Sequence, residues 1–203
     1  MYLPKHFSHP EHAATIMREH PLASLVTTDD SGFPFITHLP LKLQEEDGRP
    51  AMLLGHCARG NPLWNHLQQR PLALASFMGP QAYMSPGVYA DLQRVPTWSY
   101  LAVQARVEAR LLEGEAAKDA LLKQLIADHE PAYAAQWRDL PQDYTAKMLN
   151  AIVAFELRIV DLQCAIKLNQ HRPQAHAAMH KAYSAGNEQQ QALAAWMKKL
   201  GLV

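Results

Sequence analysis

The stretch GHCARGNPLW (55–64) sets His56, Ala58, Arg59 and Asn61 around a turn between an apolar strand pattern and a short helix pattern. A helix start presents backbone N–H groups and a partial positive charge. An arginine just upstream, Arg59, adds a formal charge and a planar fork of donors. That combination suits a phosphate. The same residues also read as a plain strand–turn–helix with Asn61 as the cap.

Three further stretches carry usable chemistry. In FITHLPL (35–41), Pro40 removes a ladder donor, so neighbouring backbone groups are free for a ligand, and His38 sits mid-strand. A strand histidine reads equally as a core or interface residue. GPQAYMSP and VPTWSY supply Gln81, Tyr83, Thr97, Trp98 and Tyr100, flat rings with polar tips. Pockets for planar cofactors use this mix, and so do loops anchored by aromatics. KLNQHRP (167–173) gathers Lys167, Gln170, His171 and Arg172, a donor cluster that reads as a cofactor contact or as a basic surface turn. His38, His56 and Tyr83 are the candidate proton carriers, but no acid–base pair stands out.

Other chemistries have little support. The sequence has no GxSxG, no P-loop and no GxGxxG. His176 and His180 share a helix face with no carboxylate motif beside them, so no metal is expected. A helix-turn-helix over 173–200 would carry its basic residues at the far end of the second helix. A recognition helix contacts DNA through its N-terminal part.

The elements that must position these residues follow from pattern. A helix is expected over 10–20, opened by Pro10 and ended by Pro21. LASLVTT (22–28) and FPFITHLPLKL (33–43) read as a hairpin around DDSG, with Pro34 and Pro40 placing the return strand at an edge. Further strands are expected at 51–56, 72–79, 97–112 and 151–163, with AIKLNQ (165–170) as an extension. Helices are expected at 61–69 and 114–130, as one or two pieces in 132–149, and over 173–200 with a break near Gly186. Residues 79–96 read as a long loop. The fold class expected is α+β, mainly β: a split β-barrel with peripheral helices and a helical C-terminal extension. The barrel domain is placed at 1–172 and the extension at 173–203.

Composition limits the alternatives. The 203 residues are 48% hydrophobic and 19% charged, with 19 basic and 19 acidic side chains. A globular protein is expected, without the basic excess of a phosphate-neutralising DNA binder. The charge is unevenly spread. Residues 1–166 hold 14 basic and 18 acidic side chains, and residues 167–203 hold 5 and 1. Cys57 and Cys164 form no CxxC, which suits a reducing compartment. No apolar run approaches membrane-spanning length, so a cytoplasmic protein with no membrane partner is expected.

The ordered set MYLPKHF, LASLVTTDDSGFPFITHLPL, GHCARGNPLW, FMGPQAYMSP, VPTWSYLAV, IVAFEL and KLNQHR resembles the PaiB family, flavin-binding negative regulators of transcription. The likeness spans residues 1 to about 172. It implies an FMN-binding split barrel of the pyridoxamine-phosphate oxidase type, with two subunits packed barrel to barrel and FMN at their interface. Carried onto this chain, it gives Arg59, with the turn around Ala58 and Asn61, the phosphate. His38, Leu39 and Pro40 would line the flavin, and Gln81 would lie near the ring or ribityl chain. Lys167 and Gln170 would close the site from the same or the other subunit. The related oxidases carry extra hydroxyl and basic residues where Ala58 and Gly60 stand here. This implies weaker FMN binding, down to an empty site. The last motif reads KLNQHR in place of KLSQNR. The functions in view are a flavin-responsive regulator acting on DNA directly or indirectly, an FMN-dependent oxidoreductase, and a non-catalytic dimeric flavin-binding module.

Overall fold

The computed structural model describes residues 1–91 and 93–203. Seven strands form one sheet in the order β2-β1-β5-β6-β7-β4-β3. They are β1 (Leu22–Thr28), β2 (Pro34–Pro40), β3 (Lys42–Glu46), β4 (Arg49–Ala58), β5 (Leu72–Met84), β6 (Thr97–Leu112) and β7 (Ile152–Lys167). The helices are α1 (Ala13–Glu19), α2 (Leu63–Gln69), α3 (Glu115–His129), α4 (Tyr133–Asp139), α5 (Gln142–Asn150), α6 (His176–Ser184) and α7 (Glu188–Lys199). β2 and β3 stand at opposite ends of the strand order, yet Leu41 alone separates them in the chain. One residue spans less than about 4 Å, so the ends of the sheet must meet, which is the connectivity of a barrel. No helix among the described residues is long and apolar enough to cross a membrane.

The chain divides into two compact units. The first comprises 21–76 and 105–162. Its β1–β2 hairpin runs from Leu22 opposite Pro40 to Thr28 opposite Pro34. Asp29 builds the turn: its Oδ1 accepts from Ser31 N at 2.8 Å, Ser31 Oγ at 2.7 Å and Phe33 N at 2.9 Å. The serine hydroxyl, then the backbone N–H groups, hold the Asp29 carboxyl below its usual range. Gly32 has φ 85°, which a side chain would resist. β4 pairs antiparallel with both β3 and β7. On one face of β4, Leu54 packs with Leu121 of α3 and Ala154 of β7. Gly55 marks a close approach: a Cβ there would lie 2.6 Å from Leu41 Cδ2 and 2.9 Å from Phe155 Cε2.

The second unit comprises 1–20, 77–104 and 163–203. α1 buries Ala13, Ile16 and Met17, and α7 buries Leu193, Ala194, Trp196 and Met197. Asn187 and Gln190 form a reciprocal capping box at the start of α7, which fixes the expected break in the C-terminal helices.

Several expected boundaries move. The strand expected over 33–43 is two strands, because β2 leaves its ladder at Pro40 and Leu41 N donates to Pro21 O at 2.9 Å instead. The expected loop 79–96 is shorter, since β5 continues to Met84 and carries Gln81 and Tyr83; position 92 lies outside the described residues. The helix expected over 10–20 starts as a 3-10 turn at Pro10–His12 and becomes α-helical at Ala13. AIKLNQ contributes its first residues to β7 itself.

Candidate functional site

The turn after β4 lies wholly in the first unit. Asn61 Oδ1 accepts from Leu63 N at 2.9 Å, ahead of α2, and its Nδ2 donates to Thr37 Oγ1 at 3.3 Å. Thr37 therefore ties this turn to β2, a link with no sequence signal beyond a β-branched residue beside His38. Arg59 Nε donates to Asn150 O at 2.7 Å and its Nη2 to Ile152 O at 3.3 Å. Its backbone N donates to Ala151 O at 2.8 Å. Asn150 O and Ala151 O stand at the C-terminal end of α5, where carbonyls lack helical partners and cations are favoured, and Ile152 opens β7. Lys118 of α3 joins them: it is buried, and its Nζ donates to Leu149 O at 2.9 Å. Burial, then the Arg59 charge, lowers the Lys118 pKa, and Glu115 opposes this.

The rest of that turn is open. Ala58 and Gly60 are exposed, and no atom lies within 4 Å of a Cβ built on Gly60. A guanidinium has five N–H donors, so Arg59 keeps donors beyond those bound to carbonyls. The turn therefore fits a phosphate through Arg59, with no hydroxyl or second cation from Ala58 or Gly60 to help.

β2 presents its three candidates differently. His38 is exposed at the sheet edge, with Nδ1 3.0 Å from Ser24 Oγ across the hairpin. Leu39 is buried and Pro40 exposed. His56 Nδ1 is buried and has no hydrogen-bond partner among the described residues; burial lowers its pKa, so neutral imidazole is favoured.

In the second unit, the strand alternation of β5 and β6 puts Gln81, Tyr83 and Trp98 on outward positions. Trp98 Nε1 donates to Gln81 Oε1 at 2.9 Å, and its ring meets Tyr83 edge-on at 6.2 Å. Both rings are about half exposed, Trp98 at 48% and Tyr83 at 49%. Beside them Lys167 Nζ donates to Thr97 Oγ1 at 2.7 Å and lies 5.9 Å from the Tyr100 ring centre. The structure thus gathers Gln81, Tyr83, Thr97, Trp98 and Lys167. Gln170 bonds locally instead. Its Oε1 accepts from Leu168 N, and its Nε2 donates to Ile166 O and faces His9 Nε2 at 3.3 Å.

Thr97, Trp98 and Lys167 wall a cavity of about 390 Å³ in this unit, within the usual size of small-molecule sites. Tyr89, Arg94 and Asn169, which the sequence patterns did not single out, share its lining with His6, His171 and Arg172.

Two other reactive groupings carry less. Burial pushes the Cys57 thiol up to about 11 and the Cys164 thiol up to about 12, so neither is a ready nucleophile. His9, Glu11 and His12 bring ligand atoms within 4.8 Å of one another. His9 Nδ1 stands 3.0 Å from Glu11 Oε1. The Gln170 amide at His9 Nε2 favours the tautomer whose Nδ1–H donates to Glu11. That leaves no lone pair on Nδ1 for a metal.

Strand order and connectivity define the class: a split β-barrel with added helices. The chain belongs to the PaiB-like family of flavin-binding proteins, whose domain, described as "Putative FMN-binding domain", matches residues 1–161. It is 34% identical to the "Protease synthase and sporulation protein PAI 2" of Bacillus subtilis (strain 168), over 85% of this chain and 83% of that protein. Solved structures show the same fold at low identity. The flavocytochrome Anf3 of Azotobacter vinelandii has a TM-score of 0.60 at 18% identity, covering 80% of this chain and 69% of that one. The FAD and heme binding protein of Mycobacterium smegmatis has a TM-score of 0.60 at 18% identity, covering 79% and 72%.

Proposed function

We propose that this chain binds FMN and works as a homodimeric, flavin-responsive negative regulator of transcription. The FMN-binding family match over residues 1–161 carries the cofactor. The Bacillus relative, named for protease synthesis and sporulation, supports the regulatory role. Arg59 holds the flavin phosphate with the donors that α5 leaves free, and Asn61 fixes the turn that aims it. In the second unit, Trp98 and Tyr83 present flat apolar surface of the kind that takes a planar ring. Gln81 Nε2 and Lys167 Nζ stand beside those rings as donors. Bound FMN supplies a two-electron redox centre, and the protein supplies position and electrostatics.

The whole chain carries no basic excess, so the regulator acts through a partner protein or through the basic C-terminal segment. Salt-sensitive, sequence-selective retention on promoter DNA supports direct action, and no retention at low salt refutes it. A second reading, an FMN-dependent oxidoreductase, is favoured by the cavity beside Trp98 and Lys167, which has room for a second molecule. Flavin absorbance of the purified protein tests the cofactor. Bleaching by NADH or NADPH with reoxidation in air favours the enzyme; flavin that neither donor bleaches leaves the regulator.

A further inference from the structure

The cavity of the second unit contains donors that the fold leaves without acceptors. Asn169 is the clearest. It is 7% exposed and lines the cavity. Its Oδ1 accepts from the Tyr89 hydroxyl at 3.2 Å and its backbone O accepts from His176 Nε2 at 3.0 Å. Its Nδ2 is buried and has no partner among the described residues. Buried amide donors are nearly always satisfied, so one left over in a cavity wall marks a missing acceptor. Asn169 also holds φ 62°, a conformation that asparagine tolerates better than most residues and that persists where surroundings enforce it.

A second orphan lines the same cavity. Arg94 Nε is buried without a partner among the described residues, although its Nη2 pairs with Asp91 at 2.8 Å. The guanidinium carbon lies 5.2 Å from the centre of the Tyr89 ring. Arg172 adds a positive charge to the lining, and His6 and His171 stand with ring centres 4.8 Å apart. Burial, then the neighbouring His6 and Arg172, lowers the His171 pKa. No carboxylate lines the cavity among the described residues.

We propose that this cavity binds a small organic oxyanion, a carboxylate or phosphate group on a short flat body, with Asn169 Nδ2 and Arg94 Nε as the buried donors that receive it. The flat body lies against Tyr89 and Phe7, and Arg172 supplies charge. This goes beyond the flavin reading and rests on it only in leaving Trp98 and Lys167 to the flavin. In the regulator the anion is the effector; in the oxidoreductase it is the second substrate.

Calorimetric titration of the full chain, freed of flavin, with benzoate, phenyl phosphate and inorganic phosphate tests this. Benzoate or phenyl phosphate binds, and the stronger of the two identifies the headgroup. Asn169→Asp keeps the acceptor for Tyr89 but replaces the free N–H₂ with an oxygen, and weakens binding by about tenfold or more. If Asn169→Asp does not fold, Arg172→Ala stands in, with a loss of about threefold to tenfold. Binding unchanged in the folded variant, binding of inorganic phosphate alone, or no binding of any probe overturns the proposal. Repeating the titration with FMN present separates the two ligands: displacement of the anion by FMN assigns the cavity to the flavin and also overturns it. Failure of FMN to bind overturns the flavin reading and leaves the anion result standing.

Discussion

At the turn of residues 58–61, Arg59 Nε donates to the last carbonyl of α5 and its Nη2 to the first of β7, and Asn61 is bonded through both its amide atoms. Around the cavity of the other unit, Asn169 Nδ2 and Arg94 Nε are buried but meet no acceptor among the described residues. The first region is a phosphate motif that doubles as a structural clasp. In the second, two buried donor atoms have no protein partner among the described residues, although their side chains are held by Asp91 and Tyr89. A motif residue can thus be required for folding and for ligand at once, and mutating it blurs the two. An orphaned donor atom separates them when it alone is changed and the residue's other contacts are kept, as in Asn169→Asp.

Substitutions break or sharpen this contrast in order of size. Lys118→Ala removes the buried clasp at Leu149 O and the packing of its stem, and lowers stability by about 2 kcal/mol in thermal unfolding. Arg59→Ala removes the more exposed half of the clasp, for about 1 kcal/mol after solvent screening. Asn61→Ala costs about 1 kcal/mol as a lost cap, and less if Thr37 finds water instead. Trp98→Ala, at a half-exposed position, changes stability by less than about 0.5 kcal/mol, yet lowers FMN affinity by about tenfold. A Trp98 variant that unfolds with the Lys118 variant would erase the contrast.

The clasp also carries a pH signature. Lys118 has a folded pKa below the 10.5 of the free side chain, through burial and then Arg59. Its charged form is therefore disfavoured on folding. That cost is fully present below the folded pKa and is relieved as pH rises from there towards 10.5. Wild type should accordingly gain stability relative to Lys118→Ala across that alkaline range, and Arg59→Ala should shrink the gain. Parallel melting curves of the three proteins measure it.

Much of the first region was legible in the sequence, and little of the second. DDSG announced its hairpin, and Asn61-Pro62 announced the start of α2, because turn and cap chemistry are local. The alternation of β6 gave that strand its observed bounds. β5 ran past its expected end because Gly79 and Pro80 read as a loop, while pairing in the sheet decided otherwise. Arg59 was visible as a phosphate donor but not as a partner of α5, some ninety residues on in the chain. Gln170 looked like a cofactor contact, but its amide bonds its own strand end and faces His9. Asn169 and Arg94 had no pattern at all. An unpaired donor is a property of the folded surroundings, and the one local trace was an asparagine at a left-handed turn.

The proposed flavin role stands or falls on whether the phosphate of FMN is held by Arg59. Fluorescence titration of the flavin-free protein with FMN and with riboflavin, beside the Arg59→Ala variant, tests it most directly. The account predicts that wild type binds FMN about tenfold or more tightly than riboflavin, and that Arg59→Ala levels the two. No binding of FMN, or equal binding of FMN and riboflavin by wild type, contradicts it.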